Sequence, residues 1–548
     1  MSSTPVIPPP VVPPPVVPPP AGPSNSAWAP LSLPVFRMLW GTWVAANVCM
    51  WMNDVAAAWL MTTLTTSPVL VALVQSASTL PVFLLGLPSG AMADILDRRR
   101  YFMLTQLWVA AVAVVMCATI AFDAMNAPLL LVLTFANGIG LAMRWPVFAA
   151  IVPELVPRSQ LPAALALNGI AMNASRIVGP IVAGAIIASA GSAWVFVLNA
   201  LLSIGAAFTI SRWRREQKAS TLPGERFLGA MRVGVQYVRE SARMHVVLLR
   251  VSLFFLQSTA LLALLPLVAK HLHGGGAGTF TLLLASMGAG AIGAAVNLPR
   301  VRQKLGSDEL VRWGSLVQAL AMVVVALAPN VMVAAAAMAA AGAAWISVAN
   351  SLTVSAQLAL PDWVRARGMS IYQMALMGSS ALGAALWGQV AALSDVRRSL
   401  LCAAAVAVIG LLLTRKVRLS AVAEEDLTPA NVLKPPVTAL PLDPHDGPVL
   451  IAIEYRIDPV RQADFLHMMQ ERRSSCLRRG VLSWSLFRDT SDPALYVEQF
   501  VNESWAEHLR HFERMTVFDM ELRERRLGFH VEQSPPKVSR YVAQGLDT

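Results

Sequence analysis

NASRIVGPIVAG, Asn173 to Gly184, has a counterpart displaced by 204 positions: MGSSALGAALWG, Met377 to Gly388. Within these stretches Ser175/Ser379, Gly179/Gly383 and Gly184/Gly388 coincide at that offset. Outside them Gly86/Gly290, Gly138/Gly342 and Pro157/Pro361 keep it. All six pairs lie in or beside long apolar segments. Small residues let apolar helices approach closely, so their recurrence at one spacing points to a duplicated bundle. Two halves of parallel topology with a pathway between them is a transporter architecture.

Working outward from that repeat, twelve apolar spans are expected over 36–64, 67–93, 101–122, 128–152, 163–190, 192–211, 245–271, 279–299, 308–328, 330–358, 366–393 and 396–415. Each is near the ~20 residues that a bilayer requires. Composition agrees: the 548 residues are 56% hydrophobic and 14% charged, against roughly 25% charged in soluble domains. The net charge of +11 argues for short basic loops rather than a nucleic-acid partner. Arg98 to Arg100, Arg158, Arg212, Arg214, Arg215, Lys218, Arg300, Arg302, Lys304 and Arg365 follow even-numbered spans, and Arg415, Lys416 and Arg418 follow the last. Most odd-numbered loops hold almost no basic residue, Arg397 and Arg398 being the exception. The positive-inside rule then predicts a multi-pass protein of the plasma (inner) membrane with both termini cytoplasmic.

The flanking regions divide the chain further. Residues 1–32 form a Pro-rich tail, expected to be disordered, with VIPPPVVPPPVVPPP at Val6–Pro20 favouring extended polyproline II. The first thirty residues lack the apolar centre of a signal peptide. Two six-helix halves are assigned to 33–211 and 245–418, joined by a crossover at 212–244. In it RFLGAMRVGVQYVRES (Arg226–Ser241) reads as an amphipathic helix along the inner membrane surface. A linker at 419–447 leads to a soluble domain at 448–545, whose periodicity predicts the order βαββαβ, a ferredoxin-like α+β sandwich, with one long second helix over Asn502–Arg526. Cys49, Cys117, Cys402 and Cys476 are scattered, so neither a disulfide framework nor a metal site is expected. No cofactor-binding loop is visible.

Polar groups inside apolar spans mark function, because a mid-membrane charge costs at least about 2.5–3.5 kcal/mol. Asp54 is the most deeply embedded carboxylate and the leading proton-coupling residue. Arg176 has two open readings: a counter-charge for an anionic substrate, or the partner of an acid such as Asp54. Asn47, Asn173 and Asn199 supply further polar contacts. Arg144 is expected to snorkel toward the interface.

The loop GAMADILDRRR (Gly90–Arg100) resembles the signature loop of the major facilitator superfamily. That resemblance implies a cytoplasmic gate at Gly90, Asp94, Arg98 and Arg99, although Asp97 stands where a glycine is usual. The Gly179-Pro180 pair with Gly184 resembles the span-5 motif of the superfamily's exporters and antiporters, which implies a hinge and seal; Ala185 replaces its last glycine. The usual span-4 Arg of the drug antiporters would fall at Thr134. Asn137–Pro180 is similar to the branch containing the bacterial enterobactin exporter, the transmembrane secretion effectors. SWAEHLRHFERMT (Ser504–Thr516) resembles the tail of many members and, through it, the antibiotic-biosynthesis monooxygenase folds, which implies a homodimer.

The function expected is proton-coupled export of small molecules such as siderophores, secondary metabolites or drugs, by alternating access. The rivals are a nutrient importer on the same fold, and a membrane-anchored enzyme or sensor acting through 448–545. For the latter, His508, His511, Trp484 and Trp505 are the residues to place, the two histidines being expected at packing and surface positions.

Overall fold

A computed structural model describes residues 28–157, 160–213, 227–272, 275–302, 304–417, 425–430, 438 and 440–544. The polyproline stretch and the early crossover lie outside the described residues. Among the described residues twelve long helices form a bundle: α1 (Pro34–Leu64), α2 (Pro68–Ile95), α3 (Arg98–Ala121), α4 (Ala127–Leu155), α5 (Leu161–Ala190) and α6 (Ala193–Arg212), then, after the short α7 (Phe227–Glu240), α8 (Ala242–His271), α9 (Ala277–Arg302), α10 (Ser307–Leu327), α11 (Val331–Leu358), α12 (Asp362–Leu393) and α13 (Val396–Leu413). Every boundary falls within four residues of its expected span. Eleven of the twelve are long and apolar enough to cross a membrane. The exception is α1, whose apolar run is interrupted by Asn47, Asn53 and Asp54.

The repeat is visible in the packing. A Cβ added at Gly179 on α5 would lie 3.0 Å from the Val48 carbonyl of α1, and one at Gly383 on α12 would collide with the Leu256 carbonyl of α8. Gly138 brings α4 onto the Ser78 carbonyl of α2, as Gly342 brings α11 onto the Met287 carbonyl of α9. Gly184 on α5 meets Thr281 of α9, while Gly388 on α12 meets Ala72 of α2. Three glycine pairs thus occupy three equivalent interfaces, the last of which joins the halves. One more pair keeps the offset: Asn126 and Asn330 each cap a helix, accepting from the Leu129 and Val333 amides.

After the bundle come β1 (Val449–Arg456), α14 (Gln462–Arg478), β2 (Ser483–Arg488), β3 (Leu495–Asn502), α15 (Trp505–Glu513), α16 (Val517–Leu527) and β4 (Lys537–Val542). The strands form one sheet in the order β2-β3-β1-β4, each antiparallel to its neighbour. Val449, Ile451, Ile453 and Tyr455 of β1 point to the helices and build the core with Phe465, Phe500 and Leu522. The single helix expected over Asn502–Arg526 is two. Thr516 starts α16 with a capping box, its hydroxyl and the Asp519 carboxylate each accepting from the other's amide, so the chain is turned between Glu513 and Val517. The linker is also shorter than 419–447 implies: Thr428 accepts from the Val517 amide, and Asp446 from that of Trp505.

The soluble domain sits on α7 and the start of α12. Arg232 pairs with Glu503 at 2.8 Å, Gln236 donates to the Val481 carbonyl at 2.9 Å, and Ser474 donates to Glu240. The Arg514 guanidinium lies over the ring of Trp363. On its other side α7 packs against the second half, with Tyr237 donating to the Ala359 carbonyl and Gly234 facing the Arg367 stem.

Candidate functional site

The two halves enclose a cavity of about 860 Å³, within the range that holds small organic molecules. Its wall is drawn from both repeats: Met50, Trp51, Asp54 and Ala58 of α1 face Trp345 of α11 and Gln373 of α12. One end carries Arg98, Glu154 and Arg367, and there the Arg98–Glu154 ion pair (2.6 Å) remains partly exposed. The opposite end is bridged by contacts between the halves. Trp59 of α1 stacks on Phe280 of α9 at 5.3 Å, and the Lys270 ammonium of α8 donates to the Thr62 carbonyl of α1. Gly184 and Gly388 allow the two cross-half helix pairs to close just there. Both side-chain contacts join the first half to the second.

Midway lie two ionisable groups. Asp54 accepts a hydrogen bond from Ser78 at 2.8 Å. Arg176 places its guanidinium carbon 5.1 Å from the Trp51 ring centre and 4.2 Å from that of Trp345. It thereby bridges α5 and α1 of the first half to α11 of the second through cation–π contacts. Its Nε is buried without an acceptor.

Comparison with known proteins places this geometry. The family model for transmembrane secretion effectors of the major facilitator superfamily matches residues 25–546. The chain belongs to that family. It is similar to the staphyloferrin A transporter of Staphylococcus aureus, 22% identical over 273 residues that make up 50% of this chain and 68% of that protein. It is also similar to macrolide efflux protein A of Streptococcus pyogenes, 22% identical over 248 residues, 44% of this chain and 60% of that protein. Among solved structures, a bacterial homologue of the human lysosomal transporter Spinster, inward-facing and unoccupied, shares the fold at a TM-score of 0.53 and 14% identity, covering 71% of this chain and 96% of that one. The chain is accordingly a multi-pass membrane transporter acting on small molecules.

Within this transporter the residues singled out from sequence separate into groups. Asp54, Arg176 and Pro180 line the cavity, and so does Arg98. Arg176 is not the partner of Asp54: indole rings, not a carboxylate, contact it. Asn47 and Asn199 are buried away from the cavity. Asn47 donates to the Trp43 carbonyl of its own helix, and Asn199 donates to Asn53, tying α6 to α1. Arg144 does not snorkel. It is buried, donates to the Ala46 carbonyl at 3.1 Å and lies over Trp43, because α1 offers a carbonyl and a ring within reach. Arg99 donates to the Ile210 and Ser211 carbonyls at the end of α6, within its own half. The side chains of Asn173 and Asp94, and Gly90, lie outside the described residues. Trp345 escaped sequence reasoning, although one large aromatic in the small-residue run AAAGAAWISVAN was the available signal.

The interior of the soluble domain is filled with charge. Glu498, fully buried on β3, accepts from Arg472 at 2.9 Å, Arg526 at 3.1 Å, the Tyr455 hydroxyl and the Trp484 indole. Burial alone raises its carboxyl, but the two guanidiniums and the hydrogen bonds outweigh that and hold it down at about 2. His508 and His511 are not surface positions. Both are buried, His508 beside Asn502 and Arg540, His511 stacked on Phe500. Burial, then the Arg540 charge, pushes His508 down to about 4, and burial with neighbouring arginines pushes His511 well below its ordinary value. Trp484 is committed to Glu498 rather than to a space beside the histidines.

Proposed function

We propose that this secretion effector is a proton-coupled exporter working by alternating access from the cytoplasmic side of the inner membrane. The observation that carries the reading is Asp54, a carboxylate in the central cavity whose hydrogen bond comes from a neutral hydroxyl. Such a group can take up and release a proton without breaking an ion pair. The arginine-bearing end of the cavity is read as cytoplasmic under the positive-inside rule, which makes it the end at which substrate loads from within. Siderophores, secondary metabolites or drugs are the substrate range, supported by the names of the staphyloferrin A and macrolide relatives. Arg98 paired with Glu154 forms the inner gate, in the loop region that also carries Gly90, Asp94 and Arg99 in sequence, and Gly179, Pro180 and Gly184 form the hinge and seal.

The soluble domain is proposed to pair two transporters. Leu450, Val497, Val501, Phe487 and Tyr541 share the sheet face opposite the helices, and Phe487 and Tyr541 are more than half exposed.

The test is uptake into inside-out vesicles, which reads as export in the cell. An imposed pH gradient, acid inside, should drive accumulation of a substrate found by metabolite profiling. Accumulation indifferent to the gradient refutes proton coupling. Movement only out of such vesicles favours an importer.

A further inference from the structure

We infer that the cavity selects anionic amphiphiles, specifically molecules that present a carboxylate to Arg176 and an apolar or aromatic body to the surrounding wall. The inference rests on the transporter reading and adds the substrate class. Three observations carry it. First, the lining holds Arg98, Arg176 and Arg367 against Asp54 and Glu154. Arg98 and Glu154 pair with one another at the mouth, which leaves Arg176 as the fixed positive charge midway along the wall, unbalanced whenever Asp54 is protonated. Second, Arg176 touches two aromatic rings, and its Nε is buried without an acceptor. Cation–π contact uses the faces of the rings and supplies no acceptor to the guanidinium N–H groups. A carboxylate matches that planar set of donors in a bidentate way, which an amide or an amine does not. Third, the rest of the wall suits an apolar body: Trp51, Trp345, Phe255, Phe280, Met172 and Met287. Aromatic faces and thioethers adapt to varied shapes.

Placement makes the charge consequential. Arg176 belongs to the first half and Trp345 to the second. An anion docked on the guanidinium therefore binds at the seam, where it competes with Trp345 for the cation. Binding and rearrangement of the halves are linked through that one contact.

The experiment uses the full-length protein in lipid nanodiscs and several aromatic bodies (naphthyl, indolyl, biphenyl), each as carboxylate, carboxamide and primary amine. Binding is read from the shift in thermal unfolding midpoint across concentrations. The carboxylates should bind, the amides about tenfold or more weaker, and the amines least. Arg176→Gln should lose that preference, while Arg176→Lys, which keeps the charge, should retain part of it. Should Arg176→Gln fail to fold, the wild-type ranking and the Lys variant still decide. A ranking led by amides or amines, no binding by any carboxylate, or a preference unchanged in Arg176→Gln overturns the inference. The parent reading fails separately: pH-driven transport of a neutral or cationic dye sinks the anion class and leaves the exporter standing, whereas carboxylate binding without pH-driven transport does the reverse.

Discussion

Asp54 and Glu498 are two carboxylates withdrawn from bulk water whose surroundings assign them opposite roles. Glu498 is clasped by two arginines, a phenol and an indole, whereas a serine hydroxyl serves Asp54. Replacing Asp54 with Asn keeps the size and the Ser78 hydrogen bond but removes the titrating group. Export driven by a pH gradient should end in that variant while downhill exchange continues, as vesicle assays would show. Glu498→Gln should instead leave Arg472 and Arg526 buried without their counter-charge, at a cost of about 3–5 kcal/mol. Limited proteolysis should then cut within 440–544 and spare the bundle. The histidines add a pH term. With folded values below the ordinary 6.5, His508 and His511 contribute stability that is fully present above that pH and is lost as pH falls below it, for His508 down to about 4. For His508 the loss approaches about 3 kcal/mol. Hydrogen exchange of 449–542 should accelerate over that window, well before Glu498 titrates.

At the level of elements, the glycine contacts explain why matched positions are spaced as they are. A side chain at Gly179 would meet the Trp51 Cβ at 2.5 Å, and Trp51 is one of the rings over Arg176. Gly179→Leu should therefore disturb both the α1–α5 seal and the cation's setting. Transport should be abolished or uncoupled in a protein that still inserts, as surface labelling with a flux assay would establish; normal coupled flux would remove the seal argument. These helices were legible from sequence because apolar runs of membrane length have few alternatives; the break before α16 was missed, although Thr516 and Asp519 three apart carried its signal. What sequence could not supply is which side of a nearly uniform apolar helix meets which neighbour. Asn47 and Arg176 both interrupt apolar runs, yet Asn47 turned inward on its own helix and Arg176 toward a tryptophan 169 positions away. Such choices belong to packing between helices.

For the whole molecule, the orientation proposed here predicts that reporters fused at Asn126 and Arg212 sit on opposite sides of the membrane; same-side signals would overturn it. The attachment of the soluble domain has a mechanical consequence. Its contacts with the bundle run to α7 and to Trp363 at the head of α12, and α7 is itself fastened to α11 and α12. The domain thus moves with the second half. Two chains joined through their sheets would share one rigid mount, from which each first half swings on its own. Nothing in that layout obliges the partners to keep step. Mixed pairs containing one Asp54→Asn chain should run at half speed rather than stall, like two oars on one boat pulled by different hands.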